Sequence, residues 1–126
     1  MARVQHFEIH ATDPEASMAF YAKLFGWSFE RFGNEDYWPA SSGDGAGIDG
    51  AIMRRRGPAP SPGTPVMGAT ISVYVDDIDA TLAVSAGLGA PPIIETITVP
   101  GFGYVSYIHD PDNNVVGLFQ PDTEAV

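Results

Sequence analysis

The first half of the chain begins with an alternating segment and continues with a helical one. Residues 4–11 alternate in character, so a strand there places its apolar side chains on one face and His6, Glu8 and His10 on the other. Asp13 followed by Pro14 predicts a capped helix start, and Gly26 predicts the helix end. Further strands are predicted over residues 27–32, 36–41 and 50–54.

The same succession returns after residues 57–65, where proline and glycine exclude a helix or a central strand. It predicts a strand over residues 69–75, a helix from Asp77 to Gly87 or Gly89, and strands over residues 93–98, 104–109 and 115–120. A shift of 64 residues lays Asp13 on Asp77, with neighbours of matching character. Two copies of one βαβββ module follow from this repeat.

The expected fold class is therefore α+β, with two curved mixed sheets that enclose a cavity and helices on the outer faces. A chain of 126 residues suits a single domain. Within it, we expect module 1 over residues 1–56, a linker over residues 57–65, and module 2 over residues 66–126.

The charge balance narrows the choice of partners. Six basic and sixteen acidic residues give a net charge of −10. A negative electrostatic field of this kind repels nucleic acid and anionic membranes and favours a cationic small molecule. The alternative is that the acidic residues only keep the protein soluble. Cysteine is absent, which excludes disulfides and thiolate ligands. No segment resembles a signal peptide or reaches membrane-spanning length, so we expect a cytoplasmic protein.

Three separated motifs carry a family resemblance. The segment HFEIHATDP at residues 6–14, followed by LFGW at residues 24–27, resembles the opening of the glyoxalase/bleomycin-resistance/dioxygenase, or vicinal oxygen chelate, superfamily. DDIDA at residues 76–80 is similar to the start of its second helix, and DPDNN at residues 110–114 to its DPxGN turn. Asn113 stands where that turn has glycine. The resemblance covers nearly the whole chain and implies the same fold.

The resemblance also implies a divalent metal held by one residue from each of four strands. Those positions fall on His6, Thr70, Gly117 and residues 51–53, and only His6 among them is a good ligand. His10 is no substitute, because strand residues four apart are separated by about 13 Å. We therefore expect no metal and no other cofactor.

The remaining inward positions suit a small organic ligand. The predicted binding residues are His6, Glu8, Trp38, Thr70, Ser72, Tyr74, Phe102, Tyr104, Gly117 and Phe119. Gly117 is expected to leave room where the metal enzymes carry glutamate. These binding residues can also be explained by structure alone. The aromatic residues would then be core or dimer contacts, and His6 and Glu8 would be strand residues with local partners. The run Arg54–Arg56 either grips an anion, covers the cavity, or forms a solvated hairpin edge.

Two functions remain open. One is a metal-independent binding protein similar to the bleomycin-resistance branch. The other is a glyoxalase-like lyase or isomerase with Glu8 or His6 as general base, with or without a divalent metal. A carboxylate walled by aromatic rings suits proton transfer near neutrality. The family often dimerises, and we expect a homodimer through exposed aromatic residues such as Trp27, Phe29 and Phe32.

Overall fold

A computed structural model describes residues 2–126 and divides the chain into two compact units. The first unit ends at Pro60 and the second begins at Ser61. Both units are built to the same plan.

The first unit holds one helix and a four-stranded sheet. Its elements are β1 (Phe7–Ala11), α1 (Pro14–Phe25), β2 (Ser28–Phe29), β3 (Tyr37–Ser41) and β4 (Gly50–Arg54). The sheet order is β1-β4-β3-β2, with β1 parallel to β4 and the other neighbours antiparallel. The first and last strands of the module therefore lie side by side.

The second unit repeats this order. It contains β5 (Ser72–Tyr74), α2 (Ile78–Gly87), β6 (Ile97–Val99), β7 (Gly103–His109) and β8 (Val115–Pro121). The sheet order is β5-β8-β7-β6, again with a parallel first pair. The predicted α+β fold of two βαβββ modules is confirmed.

Both helices start as the sequence predicts. The side chain of Asp13 accepts a hydrogen bond from the backbone N–H of Ala16 at 3.2 Å, and Asp77 accepts one from Ala80 at 3.0 Å. Gly26 ends α1 in the left-handed conformation, at φ 74°. These caps fix the helix bounds closely: α1 spans the predicted residues, and α2 ends at the predicted Gly87.

The DPDNN turn holds its shape through one carboxylate. Asp110 accepts hydrogen bonds from the backbone N–H groups of Asp112 and Asn114 and from the Asn114 side-chain amide. Asn113 adopts φ 62° and is the one non-glycine with positive φ among residues 2–126. Asparagine therefore takes the left-handed position that glycine holds in the family motif, as its tolerance of that conformation allows.

Each helix covers one face of its own sheet. Helix α1 packs against β1 and β4, and α2 packs against β7 and β8. On the faces that the helices cover, the buried strand residues include Ile9, Ala11 and Ile52 in the first unit and Ser106, Ile108, Val116 and Leu118 in the second. The apolar alternation predicted for β1 is thus the side that contacts the helix, and Glu8 and His10 point away from it.

Several predicted strands are shorter in the structure. Within residues 27–32 the regular strand is Ser28–Phe29, and within residues 69–75 it is Ser72–Tyr74. The strand expected over residues 93–98 begins later, at Ile97, and ends at Val99. Single backbone hydrogen bonds continue beyond these strands, from Phe32 to Tyr37 and from Val75 to Phe119, but the regular ladder is shorter than the hydrophobic alternation.

The prediction that Trp27 is exposed is wrong. Its side chain is buried, because its ring stacks on Tyr21 at a centroid distance of 5.1 Å and contacts Phe7 and Phe25. Phe29 is half-buried, and Phe32 is exposed as expected. Trp27 belongs to the aromatic core of the first unit and offers nothing to a dimer contact.

None of the helices in residues 2–126 has the length and apolar character needed to cross a membrane.

Gly50 offers a test of the β1–β4 pairing. A methyl group there would overlap the carbonyl oxygen and the ring of Phe7, whereas one at Gly57 would meet no atom. We expect Gly50→Ala to lower the free energy of unfolding by about 1–3 kcal/mol, because the Phe7 carbonyl is fixed in the backbone. Gly57→Ala is the matched control and should change it by less than about 0.5 kcal/mol. Urea denaturation measures both, and equal midpoints would contradict this packing.

Candidate functional site

The polar face of β1 lies on the side of the first sheet that α1 leaves uncovered. Glu8 is level with Ala51 on β4, and His10 is level with Met53, which in turn pairs with Tyr37 on β3. Paired residues point to the same side of a sheet. Glu8, His10, Met53 and Tyr37 therefore share the open face.

A cavity of about 590 Å³ opens at this face, within the size range of small-molecule sites. It is formed by the ends of β1 and β4 and by the turn before β3. The lining residues are Glu8, Phe32, Glu35, Asp36, Tyr37, Met53, Arg54, Arg55 and Arg56. Its wall thus combines three acids, three arginines and three apolar or aromatic side chains.

Three polar side chains meet at the Glu8 end of this cavity. The Nε2 atom of His6 lies 2.7 Å from the Tyr37 hydroxyl oxygen and 4.0 Å from the nearer carboxylate oxygen of Glu8. The Glu8 carboxylate lies close enough to the Tyr37 hydroxyl to act as its hydrogen-bond acceptor and to raise its pKa. Since a carboxylate only accepts, Tyr37 donates to Glu8 and accepts from the protonated Nε2 of His6. This arrangement forms a short chain of hydrogen bonds that ends on a negative charge.

The environment of Tyr37 changes its acidity. Burial raises the pKa of Tyr37 above its ordinary 10.0, and the hydrogen bond to Glu8 and the charge of that carboxylate raise it further. Tyr37 therefore stays protonated throughout the physiological range and serves as a hydrogen-bond donor. Glu8 itself is not walled by aromatic rings as we expected, since 43% of its side chain is exposed.

The arginines at the other end of the cavity have different surroundings. Arg54 pairs with Asp36 at 3.0 Å, and Asp36 also pairs with Arg31 at 3.3 Å. Arg55 donates to the carbonyl oxygen of His10 at 3.0 Å. Arg56, in contrast, makes no hydrogen bond or ion pair with any residue from 2 to 126.

Trp38 lies apart from the other predicted site residues of the first unit. It pairs with Ile52, which pairs with Ile9, so its register is that of the face covered by α1. The Arg31 guanidinium carbon lies 5.2 Å from the centre of its ring, a cation–π contact. Trp38 does not line the cavity.

In the second unit, four of the predicted residues share one sheet face. Ser72 pairs with Gly117 and Tyr74 pairs with Phe119. The rings of Tyr74 and Phe119 touch, with centroids 5.1 Å apart. The side of this sheet opposite α2 thus carries an aromatic pair beside a glycine.

The space expected at Gly117 is already occupied. A Cβ atom there would lie 2.7 Å from the Ser72 hydroxyl oxygen and 3.3 Å from the Tyr107 ring. Any larger residue at this position would displace Ser72, so Gly117 allows close strand packing rather than an empty subsite.

The other three predicted residues of this unit are placed differently. Thr70 is exposed and donates its hydroxyl hydrogen to the carbonyl oxygen of Val115. Tyr104 pairs with Gln120, in the register of the helix-covered face, and its hydroxyl lies 3.4 Å from an Asp122 carboxylate oxygen. Phe102 precedes β7 and is 67% exposed.

The residues present do not fit the metal that the family resemblance implies. No three His, Cys, Asp or Glu side chains in residues 2–126 come together so that they could hold an ion. Near His6, the second donor is Glu8, and a third is missing from the described part of the chain. Two ligands are fewer than the usual protein set for zinc.

Of the predicted binding residues, only Glu8 lines this cavity, and the prediction omits Tyr37 and Met53 among other lining residues. The Tyr37 hydroxyl lies 2.7 Å from Nε2 of His6, beside Glu8. Met53 was passed over because it binds hard cations poorly. Tyr37 on β3 pairs with Met53 on β4, and both side chains point to the sheet face that carries Glu8. The register of these strands is therefore the signal that identifies them.

Comparison with known proteins gives a family match over most of the chain. The profile of the Glyoxalase/Bleomycin resistance protein/Dioxygenase superfamily matches residues 3–118. The CFP32 protein of Mycobacterium bovis, named provisionally as a glyoxylase, is 31% identical over 120 residues that cover 90% of this chain. The chain spans less than half, 43%, of the length of that relative.

Solved structures share the fold at low sequence identity. The fosfomycin resistance protein FosX from Listeria monocytogenes is 18% identical, with a TM-score of 0.74 over 97% of this chain and 95% of its own. Lactoylglutathione lyase from Agrobacterium tumefaciens is 21% identical, with a TM-score of 0.68 over 95% and 94% of the two chains. These likenesses establish the architecture alone.

The Tyr37 environment predicts an alkaline change in stability. Because its pKa is raised, the folded chain holds the Tyr37 proton more tightly than the unfolded chain does. That stabilisation is complete below pH 10.0 and is lost as the pH rises through the folded pKa. A tyrosinate absorbance titration of the protein, minus that of Tyr37→Phe, isolates this group.

In the same titration, Glu8→Gln should lower the Tyr37 pKa part of the way towards its ordinary value, because burial remains. Glu30→Gln removes an equal charge from outside the cavity and should leave it unchanged. An unshifted Tyr37 in the Glu8→Gln variant would contradict the hydrogen-bonded geometry.

Proposed function

The chain belongs to the Glyoxalase/Bleomycin resistance protein/Dioxygenase superfamily, and from that premise we propose that it binds a small organic molecule in the cavity of its first unit, without a catalytic metal. The observation that carries this proposal is the placement of Glu8 on the open sheet face, beside Tyr37 and in a cavity of about 590 Å³. The volume suits a metabolite-sized ligand.

Glu8 supplies the acceptor of this site. Its carboxylate is fixed by Tyr37 and lies near His6, yet much of its side chain is open to the cavity. An ammonium, amide or hydroxyl group of a ligand can therefore donate to it without displacing a buried partner. A charge-assisted hydrogen bond of this kind contributes about 1.5–3 kcal/mol.

Phe32 and Met53 provide the apolar part of the cavity wall. Phe32 is 65% exposed, and Met53 is half-buried on β4. Covering such side chains with a ligand removes apolar surface from water at about 25 cal/mol per Å². Methionine also adapts to irregular ligand shapes, because its side chain is unbranched.

A binding role without metal is supported by the donor set. Within residues 2–126, no three His, Cys, Asp or Glu side chains come together to hold an ion, and Thr70 and Gly117 supply no acid or imidazole. The net charge of −10 disfavours nucleic acid as a partner, because it repels the phosphate backbone.

A second candidate function is general-base catalysis by Glu8. The exposed carboxylate of Glu8 favours it, because this group lies in the cavity beside Tyr37 and His6 and can accept a proton from a bound substrate. In that case, Glu8→Gln would abolish turnover of a bound substrate while leaving its binding measurable. Equal turnover in Glu8→Gln and the unmodified protein would exclude Glu8 as the base.

Binding at Glu8 can be tested with matched probes. We expect hexylamine to bind the protein more tightly than hexanol, which lacks the positive charge. Glu8→Gln should weaken hexylamine binding about tenfold, because it removes a charge-assisted hydrogen bond. Chemical-shift titration by NMR measures these weak affinities and locates the probe.

Glu30→Gln is the control for that experiment, since Glu30 is an exposed acid of the same unit that does not line the cavity. Equal losses in the two variants would mean that the amine responds to net charge and not to the site.

Metal independence has its own test. Protein purified without chelator should contain well below about half a mole of zinc, nickel, manganese or iron per chain, because two protein ligands hold such ions weakly. If the protein contained stoichiometric metal, and the His6→Ala variant lost it, the proposal that the site works without a metal would be overturned.

A further inference from the structure

Positive charge is concentrated in one place in this acidic chain. All six basic residues precede Pro60, and three of them, Arg54–Arg56, are consecutive and line the cavity. The chain from residue 61 onwards has eight acidic residues and no lysine or arginine. The net charge of −10 therefore describes mainly the second unit, and the cavity lies in the half that is close to neutral.

The three arginines differ in the contacts that their side chains make. Arg54 is held by Asp36, and the Arg55 side chain donates to the His10 carbonyl oxygen. Arg56 lines the cavity without a hydrogen bond or ion pair to any described residue. An unpaired guanidinium beside two positioned ones retains its donors for a ligand, and its planar fork matches a carboxylate or phosphate.

The acceptor and the arginines lie at opposite ends of the site. Glu8 is level with Ala51, whereas Arg54 is three residues further along the same strand and pairs with Ala11. That offset corresponds to about 10 Å along the strand direction. Met53 lies between the two levels on the open face, so apolar surface separates the negative end from the positive end.

From this polarity we propose that the site takes an amphoteric ligand. Its oxyanion, a carboxylate or phosphate, is bound by Arg56 with Arg55 nearby, and a donor at the opposite end is bound by Glu8. This inference rests on the proposed binding function and defines its ligand class. It differs from the expectation drawn from net charge alone, since a purely cationic molecule leaves the arginine end unused.

The test uses the full chain and a set of probes that share one alkyl length: 6-aminohexanoate, hexanoate, hexylamine and hexyl phosphate. NMR chemical-shift titration gives each affinity. We expect 6-aminohexanoate to bind more tightly than hexanoate or hexylamine, because it alone of those three engages both ends. Comparison of hexanoate with hexyl phosphate shows which oxyanion the arginines prefer.

Arg56→Gln removes the proposed oxyanion contact. Arg56 is exposed and unpaired, so this substitution leaves the fold intact. We expect it to weaken 6-aminohexanoate and both anionic probes by about fivefold to tenfold while leaving hexylamine unchanged. Arg56→Lys keeps the charge and loses the fork, and its effect should be intermediate.

Arg3→Gln is the matched control, since Arg3 is exposed, carries the same charge and does not line the cavity. Equal effects of Arg56→Gln and Arg3→Gln on the anionic probes would overturn the proposal. So would the absence of hexanoate-induced shifts near Met53 and Arg54–Arg56.

The two proposals fail differently. If hexylamine depends on Glu8 but no anion depends on Arg56, the oxyanion assignment falls and the binding function stands. If none of the probes shifts a cavity residue, both are overturned.

Discussion

The parallel pairing of the first and last strands of each module determines the chain connections in that module and which sheet face its helix covers. Parallel neighbours need a long crossover, and in both modules that connection includes a helix followed by two further strands. The helix then packs on the strands it connects and covers one sheet face. The opposite face of β1 is thereby left open, and its side chains, Glu8 among them, are available for chemistry. Gly50 is essential to this pairing, since Phe7 lies directly against it.

Hydrogen bonding, rather than burial, defines the candidate site. Glu8 is substantially exposed, and it is positioned by Tyr37, whose own pKa is raised by burial and by that carboxylate. Such a carboxylate is well suited to hold a donor group of a ligand. The same arrangement leaves His6 and Glu8 without a third metal ligand among the described residues. Family membership therefore fixes the architecture here, while the chemistry depends on the side chains that this chain retains.

Net charge gives a misleading description of the cavity. All positive residues are in the first unit, and half of them line a single cavity. An electrostatic argument made from the whole chain predicts attraction of cations, but the local wall offers a carboxylate at one end and guanidinium groups at the other. Because screening limits the reach of exposed charges to about 10 Å at ordinary ionic strength, the groups in the cavity wall act on a molecule there more strongly than distant charges do.

The sequence by itself determined the modules, both helices and the two faces of β1. Those features are local: Asp13 and Asp77 cap their own helices, and alternation separates Ile9 from Glu8 without reference to distant residues. Only the tertiary structure decided strand lengths, the burial of Trp27 and the partners of the site. Tyr37 shares the sheet face of Glu8 and His10 because β3 pairs with β4 and β4 with β1, and the same register places Trp38 on the opposite face. Pairing register joins residues that are remote in sequence, and a shift of one residue would exchange the two faces.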